Sequence, residues 1–230
     1  MIDVNFDFRK DSECGDPDND SQKLYENHKI LWNKILPNEK IFEFEILMLG
    51  GKYGRIVLKN KLCANLSSDR MCPHFDGKYN LKCNDWLTKF EMEELKEKVR
   101  TVGGHILFPA HKKNGFTINQ AREICDRFDL TLECIRRFYL NETSPLYDTL
   151  LNYEDFFKLF VDFKNYIDFF ILQDFVNEKY EIQFSIPFDN FVRSPLPQNI
   201  NEYKQYKNHT IELMNKRNKR IAEYYKMYCT

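Results

Sequence analysis

The hydrophobic pattern of this chain is strongest between residues 117 and 177. At about 100° per residue, residues 119–139 place Ala121, Ile124, Phe128, Leu132, Ile135, Phe138 and Tyr139 on one side of a helix. Arg122, Asp126, Asp129, Glu133, Arg136 and Arg137 fall on the opposite side. The first group reads as a core face. The second reads as a charged ridge, with acids in its middle and arginines at its ends, close enough along the helix to pair. A further helix is predicted from Ser144-Pro145, a capping residue followed by a proline at the first helical position. From Tyr153 to Phe175 aromatic residues recur at spacings of three and four, with Leu159, Val161, Ile167, Ile171 and Leu172 between them. That spacing is the signature of a core, not of rings held out for base stacking.

The flanking chain is more mixed. DVNFDF alternates, so Val4, Phe6 and Phe8 predict a short strand over 2–8. DSECGDPDND reads as a turn-rich loop; Asp16, Asp18 and Asp20 echo a calcium loop, but the required glycine and closing glutamate are missing. Asp20 or Ser21 caps a helix running to about Leu36, with His28 on its apolar stripe as a packing residue. Runs on either side of Gly50-Gly51 predict a hairpin over 41–60. Residues 61–87 are poorly periodic and hold Cys63, Cys72, His74 and Cys83, whose spacing does not match a zinc site. Thr88 and Glu91 form a capping box for a helix to Thr101, and HILFP reads as a strand. YEIQFSIPF predicts another, and a last helix spans about Asn201 to Tyr228. The expected fold is α+β, mostly helical, in one domain over 1–230, with a small antiparallel sheet from 2–8, 41–60, 104–108 and 180–187.

Composition adds limits. The chain has 230 residues, 43% of them hydrophobic, and a formal net charge of −1, so no global field draws it to nucleic acid or membrane. No apolar run is long enough to span a bilayer and no signal peptide opens the chain. With seven widely spread cysteines, the expectation is reduced thiols and a cytoplasmic protein. The first twenty residues are acidic and the last thirty basic, which is simplest if the two ends meet.

Two functions fit the charged ridge. In the first, the protein is a phosphate-directed enzyme or effector acting on a nucleotide or nucleic acid. Asp126, Asp129 and Glu133 then position a cation or a water as the catalytic group. Arg122, Arg127, Arg136, Arg217 and Lys112, the last from the polar loop AHKKNGF, hold phosphate. Arg217 lies inside the apolar face of the last helix and needs either an ion-pair partner from the central helix or an anion. No cofactor is named by any motif, and no residue is assigned to a metal. In the second, the ridge is a solvated face with internal ion pairs, and the chain is a non-catalytic interaction protein, binding a partner or itself through aromatic surface.

The strings NFDF, DPD, HKILWNKILPN, FP with TIN-x-AR, DRFDLTLECIRRFY, SPLYDTLLNYEDFFKLFVDF, YIDFFILQD and PFDNF resemble a family of bacterial proteins built on a domain of unknown function. The likeness covers most of the chain. The chain departs from the family pattern at Glu123, where glycine is frequent, and runs directly into Ile124-Cys125-Asp126. The resemblance implies a bacterial, cytosolic protein and no particular activity.

Overall fold

The computed structural model describes residues 2–13, 15–49, 52–59, 65–75, 83, 85–110, 117–118 and 124–228. It is mixed α+β and mostly helical. The short α1 (Pro17–Asp20) leads into α2 (Gln22–Trp32), where Ser21 Oγ accepts the Leu24 N–H at 3.1 Å as the expected cap. The strand pair β1 (Lys34–Ile35) and β2 (Ile41–Phe42) follows. The hairpin β3 (Phe44–Leu49) and β4 (Lys52–Leu58) forms as the pattern predicts. β5 (Leu66–Arg70) and β6 (His105–Pro109) complete an antiparallel sheet of order β3-β4-β5-β6. Between them lies α3 (Lys89–Val99), started by the predicted Thr88–Glu91 capping box.

Two expected strands do not form. Over residues 2–8 the aspartates capture the backbone. Asn5 N–H donates to Asp3 Oδ1 at 3.1 Å, and Arg9 N–H donates to Asp7 Oδ1 at 3.0 Å. Such local bonds compete with a sheet ladder, and Phe8–Asp11 becomes a 3-10 turn. Residues 180–187 contribute one isolated bridge, Ile182 to Val176. Conversely, β5 escapes the hydrophobic pattern because LSSDR buries polar groups. Ser68 Oγ sits 2.8 Å from His28 Nε2 in the interior.

The aromatic run is core, as its spacing predicts, but in short pieces: α5 (Tyr147–Leu151), α6 (Glu154–Phe157) and α7 (Phe163–Phe169). Left-handed Val161 (φ 71°) and Ile171 (φ 54°) mark the breaks. Ser144 does not cap α5. Its carbonyl accepts the Tyr147 N–H at 3.1 Å, which puts Pro145 in a turn ahead of the helix. Phe160 meets Tyr166 edge-on at 5.2 Å and Phe169 lies 4.9 Å from Phe170.

The last helix, α8 (Ile200–Tyr228), joins these parts. Arg217, fully buried on it, meets no carboxylate among the described residues, which corrects the expected ion pair with the central helix. Its guanidinium donates to the carbonyls of Gly103 (2.7 Å), His105 (2.9 Å), Phe170 (2.9 Å) and Ile171 (3.0 Å). Beside it, Asn218 Oδ1 accepts the Gly103 N–H at 2.7 Å. A Cβ on Gly103 would come within 2.4 Å of that oxygen, so the approach requires glycine. The basic end does not pair with the acidic one: Lys204 and Lys207 meet Glu91 and Glu94 of α3, while Asp16 and Asp18 face Arg100 and His105.

Candidate functional site

The charged ridge belongs to α4 (Phe128–Tyr139), which starts later than its periodicity predicts. Cys125 (φ 48°) and Asp126 (φ 56°) are both left-handed, a conformation no helix continues through. Asp126 therefore sits on a turn, apart from Asp129 and Glu133. Lys112 and Arg122 lie outside the described residues.

Asp129 and Glu133 are buried, not solvated. Asp129 accepts from Arg127 Nε (3.0 Å) and Nη2 (2.6 Å), from the Leu130 N–H (2.9 Å) and from the Ser185 N–H (2.9 Å). Glu133 accepts from Arg136 Nε (2.7 Å) and Nη2 (3.0 Å) and from Arg137 Nε (2.8 Å). These acids are held by arginines and, for Asp129, by backbone N–H groups. The arginines are occupied too: Arg127 and Arg136 complete ion pairs, and Arg217 is closed in its carbonyl cage. None of the three presents an open fork to phosphate.

What the ridge does instead is fasten the segment after residue 184. Asp129 holds Ser185, and Arg127 Nη1 donates to the Pro195 carbonyl at 2.9 Å. Arg137, anchored by Glu133, donates to Asn190 Oδ1 at 2.6 Å and lies 5.0 Å over the Phe191 ring. Asn190 (φ 61°) and Phe191 (φ 66°) are consecutive left-handed residues. For a bulky side chain this is strained, and the clamps hold it. Between this segment and α4 opens a cleft of about 230 Å³, lined by Phe188, Phe191, Leu130 and Pro145, with Asp189 and Ser194 among its polar groups. PFDNFVRSP carried no periodic signal, and this wall was not read from the sequence.

A second feature lies at the end of β5. Arg70 Nη1 donates to His74 Nδ1 at 3.0 Å. His74 is thereby fixed as the neutral tautomer with its proton on Nε2. Arg70 is half-buried and, among the described residues, meets no carboxylate within bonding range. Its charge acts on Asp18, Arg100 and Asp126. Asp126 is exposed as a residue, yet enough protein surrounds its carboxyl for desolvation to lift its pKa to about 6, against a smaller pull from Arg70. A carboxyl of raised pKa on left-handed backbone, in electrostatic reach of Arg70, has the marks of a functional group. Arg70 was missed in the sequence because its strand was.

Other polar groups are structural. His28 Nδ1 accepts the Trp32 indole N–H at 2.9 Å, so its Nε2 carries the proton. Burial, then the charges of His105 and Arg217, push its pKa well down. The Cys72 thiol is pushed up to about 12 by burial, and His74 Nδ1 accepts from Arg70; Cys63, grouped with them in the sequence, lies outside the described residues. Among the described residues no three His, Cys, Asp or Glu side chains converge as metal ligands. Asp16, Asp18 and Asp20 do not make a calcium loop, since Asp16 caps α1 and Asp18 Oδ1 lies 3.0 Å from His105 Nε2. Cys72, Cys83, Cys125 and Cys134 are not in disulfides. No helix among the described residues is long and apolar enough to cross a membrane.

Residues 2–221 match the family of unknown function DUF6994, and the chain belongs to that family. No curated protein and no solved structure matches it.

Proposed function

We propose that the protein binds a phosphate-bearing substrate at Arg70 and acts on it by acid–base chemistry through Asp126. The observation that carries this reading is the half-buried Arg70 guanidinium, which among the described residues meets no carboxylate within bonding range, in electrostatic reach of an exposed carboxyl of raised pKa. With Nη1 on His74 and no carboxylate among the described residues, Arg70 has further N–H donors for an oxyanion. A carboxyl titrating near 6 can hold or release a proton close to neutral pH. This keeps the phosphate-directed expectation for Asp126 and replaces Arg127, Arg136 and Arg217 by Arg70 as its anion anchor.

The test is calorimetric titration with pyrophosphate and nucleoside triphosphates, followed by phosphate release from a panel of phosphate esters. Arg70→Met is expected to lower anion affinity at least about tenfold. Asp126→Asn should leave binding intact and remove turnover, together with the limb of the pH profile near 6. Equal anion affinity in Arg70→Met and the parent sinks the reading.

A second reading rests on the pair Ile35 and Ile41. These residues are cross-strand partners in the β1–β2 pair, and both are exposed. Such a patch suits a protein partner or a homodimer. Light scattering decides: a monomer at micromolar concentration, unchanged by Ile35→Lys, removes the dimer.

A further inference from the structure

We propose that the cleft between α4 and the 187–195 segment is a binding site for a flat heteroaromatic ring carrying N–H donors, of which a nucleobase is the favoured class. The walls are aromatic and rigid. Phe188 is backed by Phe184, stacked at 4.1 Å and 10° between planes, and Phe191 meets Phe188 at 86°. Phe191, left-handed, lies under the Arg137 guanidinium at 5.0 Å, itself anchored by Glu133. A preformed slot of this kind favours a flat π system over a flexible chain. At about 230 Å³ it has room for one ring system and not for a whole nucleotide.

Its polar groups state what the ring must carry. Both cations at the cleft are engaged: Arg127 with Asp129 and Pro195, and Arg193 with both oxygens of Glu202 at 2.9 and 2.8 Å. No open cation is left there for a phosphate. Asp189 Oδ1 accepts the Arg193 N–H at 2.9 Å, which leaves Oδ2 as an acceptor at the rim. An acceptor at the edge of an aromatic slot complements an amino or ring N–H group. In naming a nucleobase over other flat rings the proposal rests on the phosphate-directed reading. The slot itself does not.

Saturation-transfer NMR on the full chain tests this with nucleosides, which carry no phosphate. Guanosine, cytidine and adenosine are compared with caffeine, which has no N–H, and with N-acetyltryptophanamide. The expected result is transfer to at least one nucleoside, lost in Phe191→Ala. In Asp189→Asn, a surface change that leaves the fold intact, nucleoside affinity falls about tenfold, toward that of caffeine. Nucleoside binding that survives Arg70→Met separates this site from the anion site, whichever way the anion test falls. Absence of transfer from every nucleoside overturns the proposal, as does unchanged affinity in Asp189→Asn. So does N-acetyltryptophanamide binding more tightly than any nucleoside, which assigns the slot to a peptide side chain.

Discussion

At the scale of single residues, two buried histidines are held by different partners. His105 Nδ1 lies 2.8 Å from the Thr101 carbonyl and must donate to it. Its Nε2 faces Asp18 Oδ1 at 3.0 Å, close but not aligned as a hydrogen bond. The side-chain contact with His105 is what holds the Asp18 carboxyl below its usual range, against burial, which pushes it up. The prediction is that nitrogen-detected NMR at pH 7 finds the His28 proton on Nε2 alone. A proton on His28 Nδ1 contradicts the assignment. His28 is kept neutral in the folded chain, while the unfolded chain protonates it below its ordinary pKa of about 6.5. Its folded pKa is lowered, so its contribution is present above pH 6.5 and declines as pH falls, by up to about 1.4 kcal/mol per unit. Asp126 acts in the other sense. Its folded pKa, raised to about 6, lies above its unfolded value, so the folded state gains a proton as pH falls toward 4. Because water reaches Asp126, His28 dominates. Melting temperature should therefore fall between pH 7 and 5, and less steeply in His28→Gln. A parent that melts at one temperature across that range contradicts the assignment.

At the scale of elements, the ridge on α4 shows what periodicity can and cannot convey. The arrangement of Asp129, Glu133, Arg136 and Arg137 on one face was legible, because a helix fixes the angles between its side chains. What covers that face was not, because PFDNFVRSP comes from fifty residues downstream and has no period of its own. A stripe of charges reads the same whether water or a loop lies over it. The aspartates of residues 2–8 mislead for a related reason: alternation predicts a strand, but Asp3 and Asp7 take the backbone N–H groups first. Arg70 was invisible because β5 buries serine where a strand pattern expects valine. If the ridge is a clamp, Glu133→Gln should loosen the distant segment more than its own helix. Amides of 188–194 should exchange roughly tenfold faster, the scale of one weakened charged hydrogen bond, while those of α8 stay unchanged. Faster exchange confined to α4 would show that the stripe stabilises only its own helix.

At the scale of the whole molecule, one side chain ties the sheet to the aromatic helices. The carbonyls around Arg217 come from the turn that opens β6 and from the end of α7, segments that share no backbone hydrogen bond among the described residues. Burial lowers the Arg217 pKa to about 9, which still leaves it charged at neutral pH. Its fork suits converging carbonyls as an ammonium does not, since guanidinium offers five donors in a plane and ammonium three at a point. Removing the head group strands several buried acceptors, each costing about 1–3 kcal/mol unless water enters. Arg217→Met keeps most of the apolar stem and should lower stability by roughly 3–5 kcal/mol. Arg217→Lys should fall between the two. Urea denaturation measures both, and the order matters as much as the size. If methionine is tolerated as well as lysine, the cage contributes packing alone. If only arginine restores full stability, the carbonyls are the joint. In that case Gly103→Ala, which would drive a Cβ to within 2.4 Å of Asn218 Oδ1, should weaken the same joint from the opposite side. The double variant with Arg217→Met should then cost less than the sum of the two.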